Sequence, residues 1–341
     1  MTLSGDGPVA ARFAERIRAD EERRLQPAAV RSYETQGRAQ PEDDECSLRT
    51  PFQRDRDRIV HAKAFRRLKH KTQVFIAPEG DHYRTRLTHT LEVVGIARSV
   101  ARALQLNEDL TEAIALGHDL GHPPFGHAGE EALSDALEAA TGRRFRHNEH
   151  SLRIVEHLER DGRGLNLTHE VRDGILNHTG DVAPATLEGR IVKLVDRVAY
   201  INHDIDDAIR AGVLRSERLP SAEVDLLGPS AARRIDRFVH DLVENSTQIG
   251  DISLTPRLAE ALLTLRAFMF SEVYLRPEGD DERRRVRHVV TALFTHFLES
   301  QPERDPAAVT RVVDHVAGMT DRYALRTYRE LFEPEGWAFQ S

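Results

Sequence analysis

Apolar positions along this chain recur at intervals of three and four residues, and few segments alternate apolar and polar residues with period two. The first spacing places apolar side chains on one face of an α-helix, whereas alternation is typical of strands. The pattern therefore predicts an all-α protein. The predicted helices cover residues 8–33, 53–71, 88–105, 107–118, 130–140, 148–160, 169–177, 187–211, 231–245 and 256–275, with two or three more near the C-terminus.

The polar stretches between these helices predict how the chain is organised. A chain of 341 residues is long enough to bury a sizeable core. We expect one domain with a helical extension rather than two independent domains. Residues 1–50 would form an N-terminal helix and polar loop, residues 51–211 the helical core, and residues 212–341 a C-terminal helical region packed on that core. Residues 212–230 are themselves predicted to be a loop.

The composition is that of a soluble globular protein, with 40% hydrophobic and 30% charged residues. No run of 18 apolar residues occurs, and the N-terminus has no apolar segment typical of a secretory signal. Cys46 is the only cysteine, so an intramolecular disulfide is excluded. We therefore expect a cytoplasmic protein with no membrane partner.

The charge is acidic overall, but the cations are nearly all arginine. A net charge of −8 argues against a protein that coats duplex nucleic acid. Lysine occurs only at Lys63, Lys69, Lys71 and Lys193. This bias is explained either by a G+C-rich coding sequence or by arginines that grip phosphate through bidentate hydrogen bonds, and both explanations can hold.

Two predicted helices carry polar residues on the face that should be buried. His89 heads the apolar stripe of one helix, and alone it would be interpreted as a hydrogen-bonded core histidine. His118 lies at the edge of the apolar face of the next helix, and Asp119 follows it directly. Because burying a carboxylate is costly unless a cation or several donors meet it, this pair indicates a functional site.

A third helix shows the same anomaly. Asp196 interrupts the stripe formed by Val192, Ala199, Tyr200 and His203. An arginine from elsewhere that pairs with Asp196 is one explanation. The other is a divalent cation, since two imidazoles and two carboxylates match a metal site with open coordination positions. Such a metal would offset the energetic cost of burying all four polar groups. It would also polarise a phosphoryl oxygen.

The stretch GHDLGHPPFGHAGE, residues 117–130, must turn sharply. Pro123 and Pro124 bar a continuous helix, and Gly121 and Gly126 permit the turn. We expect the turn to carry further histidines out over the metal site.

Several blocks of sequence resemble HD-domain phosphohydrolases, and in particular deoxyguanosinetriphosphate triphosphohydrolases and their shorter relatives. The pattern His…His-Asp…Asp carries the first resemblance. The more specific blocks, in chain order, are RRLKHKTQVF (66–75), RTRLTHTLEV (84–93), HDLGHPPFGHAGE (118–130), HNEHSLRIVE (147–156), DRVAYINHDIDDA (196–208) and FMFSEVY (268–274).

The resemblance implies an all-α HD-domain core with a C-terminal helical extension. It implies hydrolysis of a deoxynucleoside triphosphate to deoxynucleoside and inorganic triphosphate. The implied cofactor is one divalent cation per site, Mg²⁺, Mn²⁺ or another transition metal. The implied partners are a homo-oligomeric copy of the chain and a nucleotide or single-stranded DNA effector, as in some relatives. Because the chain resembles the shorter subgroup, the resemblance leaves open whether dGTP or dNTPs more broadly are the substrates.

The resemblance also implies roles for individual residues. The metal ligands would be His89, His118, Asp119 and Asp196. The catalytic groups would be His127 as general acid, Glu130 orienting it, and His122 beside the phosphates. The substrate-binding residues would be Arg86 and His147 for the phosphates and Tyr200, Asp204 and Gln73 for the sugar.

Other positions are open to two interpretations. Arg197 follows the last ligand, where some relatives have an acid, and either reaches a phosphate or faces outward. His178 either lines the pocket or stabilises a helix C-terminus. The run AFRRLKHK (64–71) is either a solvated helix face or a contact to triphosphate or effector. The aromatic residues of FMFSEVY are expected in the core, and His150 and His157 on the surface.

Two other functions compete with the triphosphohydrolase. One is an HD-domain phosphohydrolase that acts on another nucleotide, a nucleoside monophosphate or a cyclic nucleotide. The other is a regulatory protein that binds nucleotides without turnover, for which the loss of a metal ligand would be the mark. All four ligand positions are present in this chain.

Overall fold

The computed structural model describes residues 8–42, 46, 48–73, 84–274, 280–303 and 305–334. Within these ranges the regular structure is helical, and the β-type pairing amounts to two isolated bridges, Arg38 with Thr168 and Thr72 with Thr85. The predicted all-α fold is therefore confirmed. In the same ranges, no helix combines the length and apolar character needed to cross a bilayer.

The N-terminal part of the chain contributes the helices that surround the site. In order these are α1 Pro8–Arg24, α2 Pro51–Val60, α3 Lys63–Arg67, α4 Arg86–Ala103, α5 Glu108–Gly117, α6 Gly126–Thr141, α7 His147–Arg153, α8 Glu159–Gly162, α9 His169–Asn177 and α10 Leu187–Arg210.

Among the described residues, the C-terminal part adds further α-helices. They are α11 Ser221–Leu227, α12 Ala231–Ile249, α13 Pro256–Met269, α14 Asp280–Glu299, α15 Pro306–Ala317 and α16 Asp321–Phe332. A π-helical segment, Phe270–Tyr274, extends α13, and a second one, Ile154–Leu158, extends α7.

The structure differs from the predicted helix ranges in several places. Helix α1 ends at Arg24, well before residue 33, because Pro27 disfavours helical backbone at the residue before it. The predicted helix 53–71 breaks between α2 and α3, where the Glu159 carboxylate accepts the first backbone N–H groups of α3. The predicted loop 212–230 contains α11.

Two hydrophobic clusters form the interior. The larger joins α2, α4, α5, α9 and α10 with α12 and α13 of the C-terminal region. The smaller joins α6 to α14, α15 and α16, and includes Phe125, Leu133 and Leu293. The C-terminal helices therefore contact both the helices that carry the predicted ligands and the turn that precedes α6. The domain boundaries at residues 50 and 211 stay predictions.

Candidate active site

The four predicted metal ligands lie together at the junction of α4, α5 and α10. His89 projects from α4, His118 and Asp119 follow the end of α5, and Asp196 lies within α10. Asp196 Oδ1 is 3.0 Å from His89 Nε2 and 3.6 Å from His118 Nε2. His118 Nε2 is 3.5 Å from Asp119 Oδ1.

The hydrogen bonds of His118 suit a metal ligand. The ring donates from Nδ1 to the carbonyl of Ala115 at 2.7 Å, which leaves the lone pair on Nε2. That Nε2 atom is buried and has no hydrogen-bond partner among the described residues. His89, His118 and Asp119 are buried and offer ligand atoms within 4.8 Å of one another. This buried cluster could therefore hold a divalent cation.

The charges in the cluster favour a cation at this position. Burial alone would lower the pKa of His118, but the neighbouring carboxylates of Asp119 and Asp196 raise it to about 9. Burial likewise opposes the charged form of Asp119, yet His118 and Arg86 outweigh it and hold its pKa well below the usual range. Two ionised carboxylates thus converge on one imidazole nitrogen, which a proton or a metal ion must neutralise.

The segment that links α5 to α6 together with the first two residues of α6, residues 118–127, places two more histidines beside the cluster. We call it the histidine turn. Phe125 adopts left-handed backbone angles, with φ 66°, and Gly126 follows with φ 59°. A Cβ on Gly126 would lie 2.7 Å from the carbonyl oxygen of Gln73, so no larger residue fits there unchanged. Because the backbone reverses here, His122 is buried beside Asp119 while His127 reaches the cavity.

Glu130 binds a different histidine from the one expected. Its carboxylate accepts from Nδ1 of His147 at 2.8 Å and from the backbone N–H of His147 at 2.9 Å. Its other oxygen is 3.8 Å from Nδ1 of His122. No hydrogen bond joins Glu130 to His127 among the described residues, because the start of α7 offers it a ring and a backbone donor together. Glu130 thus orients His147, whose ring stacks on His122 with centroids 3.9 Å apart.

His127 lies next to His122 and lines the cavity. Its ring is accessible from the cavity, with centroids 5.9 Å from His122 and 6.4 Å from Tyr200. The surrounding protein and the Arg86 guanidinium lower its pKa to about 4, so the free protein holds it neutral near pH 7.

A cavity of about 700 Å³ opens over the cluster. Beyond the site residues already described, its walls include Gln73, Arg86, His178, Lys193, Arg197, Tyr200, Arg266, Phe270, Tyr274 and Arg283. The cavity therefore brings the predicted metal ligands, phosphate-side residues and two of the sugar-side residues into one space.

Arg86 is the clearest sign of an anionic ligand. Its side chain is 1% exposed, and one Nη donates to Asp119 at 2.8 Å. The remaining Nε and Nη2 atoms are buried and have no hydrogen-bond partner within the described part of the chain. A guanidinium is always charged and carries five donors, so buried donors of this kind at a cavity wall indicate a missing acceptor.

Aromatic and amide groups also line the cavity. Tyr200 accepts a hydrogen bond from Nε of Arg266 at 3.2 Å. Tyr274 donates from its hydroxyl to Asp204, which is fully buried and does not itself line the cavity. Gln73 lines the cavity, and its Oε1 is buried without a hydrogen-bond partner in the described residues.

The two positions with open interpretations both line the cavity. Arg197 reaches the cavity rather than facing outward. His178 is buried at the C-terminal end of α9, donates from Nδ1 to the carbonyl of Ile175, and places Nε2 3.1 Å from Nε2 of His147. It therefore lies both at a helix terminus and in the pocket.

Several residues near the site were missed or misplaced by sequence reasoning. Phe270 and Tyr274 line the cavity, although Tyr274 and Phe268 also pack against the larger hydrophobic cluster, as expected. His150 is buried, because its Nδ1 donates to the carbonyl of Gly121 in the histidine turn. Lys71 is buried and donates from Nζ to the carbonyl of His122, so it is neither solvated nor in the cavity wall. No spacing along the sequence could have shown these contacts, which join distant segments.

Comparison with known proteins agrees with this geometry. Residues 86–201 match the HD domain, and residues 252–330 match the phosphohydrolase-associated domain. A deoxyguanosinetriphosphate triphosphohydrolase-like protein of Caldanaerobacter subterraneus subsp. tengcongensis is 53% identical over 93% of this chain and 95% of its own length. A protein of the same description from Desulfatibacillum aliphaticivorans is 45% identical over 91% of this chain and 95% of its own.

A solved structure of a hypothetical protein from Aquifex aeolicus is more distant, with a TM-score of 0.46 and 19% identity over 82% of this chain and 68% of that one. The extent of the matches to the curated relatives is enough to assign a family. The chain is an HD-domain phosphohydrolase and belongs to the deoxyguanosinetriphosphate triphosphohydrolase-like family.

Proposed function

We propose that this protein hydrolyses deoxynucleoside triphosphates to the deoxynucleoside and inorganic triphosphate. The observation that carries the proposal is the buried Arg86, with two nitrogen atoms unpartnered among the described residues, between the His/Asp cluster and a cavity lined by further histidines. This concentration of donors suits a chain of several phosphates. The names of the relatives support the same substrate class.

The cation would bind to His89, His118, Asp119 and Asp196, where it would polarise a phosphoryl oxygen and activate a water molecule. The unpartnered Nε2 of His118 supports this ligand set. Arg86 keeps Asp119 ionised through a 2.8 Å hydrogen bond and directs its other donors to the phosphates. His122 and His147, held by their stacking and by Glu130, would contact the same phosphates.

Hydrolysis transfers the triphosphoryl group to water. The water oxygen attacks the α-phosphorus and its proton is released to solvent, the bond from that phosphorus to the 5′-oxygen breaks, and the 5′-oxygen takes up a proton. His127 is our candidate donor of that proton. The ring is neutral near pH 7 in the free protein, and a bound triphosphate would favour its protonated form because opposite charge raises the pKa of an imidazole.

The aromatic and amide groups of the cavity would hold the sugar. Tyr200 and Tyr274 present rings, and Gln73 presents an unpartnered amide oxygen suited to a sugar hydroxyl. Asp204 would act through Tyr274, from whose hydroxyl it accepts a hydrogen bond. The bulk of the Tyr200 ring would disfavour a 2′-hydroxyl and hence select deoxynucleotides.

Product analysis tests the proposal. The protein is incubated with each of the four dNTPs and their ribonucleotide counterparts, with Mg²⁺ or Mn²⁺, and the products are separated. We expect deoxynucleoside and inorganic triphosphate in equal amounts, and far less product from ribonucleotides. An Asp119→Ala variant should lose both bound metal and turnover, while the exposed Asp225→Ala should keep both.

The same assay separates the competing functions. Stepwise release of phosphate or pyrophosphate would contradict the proposal, and turnover of nucleoside monophosphates or cyclic nucleotides alone would favour another HD-domain phosphohydrolase. Nucleotide binding without any product would favour a regulatory protein.

A further inference from the structure

The histidine turn is attached to the C-terminal helical region by a buried carboxylate. Asp321 is 6% exposed and lies in the first turn of α16. Its Oδ1 accepts from the backbone N–H of Phe125 at 2.9 Å. Its Oδ2 accepts from the backbone N–H of Thr72 at 2.9 Å and also from the Thr72 hydroxyl. One side chain therefore connects the histidine turn, the segment that precedes Gln73 and the start of α16.

The residue that Asp321 holds is the strained one. Phe125 has φ 66° and ψ 26°, a left-handed conformation that is rare and costly for a residue with a large side chain. Such a conformation persists only where the surroundings stabilise it. A charge-assisted hydrogen bond to the N–H of Phe125 supplies part of that stabilisation.

A second buried contact joins the same segments. Lys71 is 2% exposed and donates from Nζ to the carbonyl of His122 and, at 2.9 Å, to the carbonyl of Ala317 at the end of α15. Residues 71 and 72 are thus bonded to both the histidine turn and the C-terminal helices. These contacts involve backbone atoms of the histidine turn, so they hold its backbone conformation and not the position of one side chain.

We infer that Asp321 is a positioning residue for catalysis. It holds the left-handed backbone at Phe125, which aims His127, and it holds Thr72, the neighbour of Gln73. This inference rests on the proposed function, because it takes His127 and Gln73 as groups that meet the substrate. Within the described part of the chain, Asp321 itself does not line the cavity and bonds to none of the predicted metal ligands.

The chain offers a matched control. Asp305 lies in the same C-terminal region and caps α15 by accepting from the backbone N–H of Ala308 at 2.6 Å, and no hydrogen bond among the described residues joins it to the histidine turn. Asp321→Ala and Asp305→Ala therefore each remove a carboxylate that accepts backbone hydrogen bonds. They differ in whether that carboxylate holds the turn, and also in burial, since Asp305 is exposed and Asp321 is buried.

Steady-state kinetics at saturating metal, normalised to bound metal, form the first measurement. For Asp321→Ala we expect kcat to fall tenfold or more with KM changed less than threefold, and metal content to stay at the wild-type value. Asp321→Asn keeps an oxygen for Phe125 but loses an acceptor for Thr72, so its kcat should be intermediate. Asp305→Ala should stay within twofold of wild type.

Hydrogen exchange of the metal-loaded full chain forms the second measurement and needs no activity. Backbone amides in peptides covering residues 118–130 should exchange faster in Asp321→Ala than in Asp305→Ala. Equal exchange and equal turnover in the two variants, or wild-type kinetics and exchange in Asp321→Asn if the alanine variant does not fold, would overturn the inference. Absence of dNTP turnover in the wild type would remove the proposed function, while the exchange result would still decide whether Asp321 holds the turn.

Discussion

At the scale of single residues, the candidate site depends on which nitrogen or oxygen of each side chain is already occupied. His118 donates from Nδ1 to a helix carbonyl, so only Nε2 is left for a ligand. Arg86 uses one Nη on Asp119, so Nε and the other Nη are left for an anion. Residue identity predicted that these groups would meet, but only their hydrogen bonds indicate which atoms face the substrate.

His127 offers a test of the proton donor. In His127→Ala the metal ligands are untouched, so metal content should stay at the wild-type value. The rate should fall on the order of a hundredfold or more, the usual effect of losing a general acid. Metal analysis and single-turnover kinetics measure the two quantities, with the exposed His157→Ala as control. A rate near wild type would place the donor elsewhere.

Asp204 offers a test by pH. Burial raises the pKa of its carboxyl to about 8, although its bond with Tyr274 works in the other direction. A carboxyl whose pKa is raised by folding stabilises the folded state most at low pH. That contribution is lost as the pH rises from near 4, the unfolded value, towards 8.

Asp204→Asn cannot ionise and keeps an oxygen for the Tyr274 hydroxyl. The free energy of unfolding of wild type should therefore fall, relative to that of the variant, between pH 4 and pH 8. The change should exceed about 1 kcal/mol, because one pKa unit corresponds to about 1.4 kcal/mol. Denaturant titrations of both proteins at several pH values check this, and parallel pH profiles would contradict it.

At the scale of elements, the positions at which helices end determine the candidate site more than the lengths of the helices do. Helix α5 ends at Gly117 and α6 begins at Gly126, so His118 and Asp119 lie just beyond one helix and His127 at the start of the next. The prolines and glycines of the stretch predicted this interruption. The break between α2 and α3 had no such signal, since it depends on Glu159, a residue about a hundred positions away.

The glycine at the start of α6 offers a test at this scale. Gly126→Ala places a Cβ against the carbonyl of Gln73 at a residue with positive φ. We expect the free energy of unfolding to fall by about 1–3 kcal/mol. We also expect the folded variant to turn over substrate more slowly than wild type, because the adjacent His127 is displaced. Gly95→Ala is the control, since a Cβ there meets no atom within 4 Å and alanine favours the helix. Thermal unfolding and dNTP turnover of both variants make the comparison.

At the scale of the whole molecule, the smaller hydrophobic cluster joins the histidine turn to the C-terminal helices. Phe125, from the histidine turn, packs in the same cluster as Leu293 of α14 and Val316 of α15. The C-terminal helices therefore do more than extend the fold, because their packing reaches the backbone that presents His127.

Leu293 offers a test of this coupling. It is fully buried, so Leu293→Ala should lower the free energy of unfolding by about 2–5 kcal/mol. We also expect turnover to be reduced at temperatures well below the unfolding temperature, where the variant is still folded, since the cluster supports the histidine turn. Ile249→Ala, at a residue 55% exposed, should change stability by less than about 0.5 kcal/mol. Normal turnover in Leu293→Ala up to its unfolding temperature would contradict the coupling.

The sequence by itself determined the all-α fold and the group of predicted metal ligands. Helical periodicity reports which face of each helix is buried, so a histidine or aspartate on that face stands out from the order of residues alone. The spacing of prolines and glycines likewise determined that the backbone turns between His118 and His127. These are properties of short segments, and local chemistry decides them.

Only the tertiary structure decided which hydrogen-bond partner each of these polar groups has. Glu130 was expected to bind His127, which is three residues away, but the start of α7 brings it two donors from His147. Lys71 and Asp321 bind backbone atoms of the histidine turn from segments about 50 and 200 residues distant along the chain. Such contacts have no periodicity, because the distances between packed helices, and not the order of residues, determine which donor meets which acceptor.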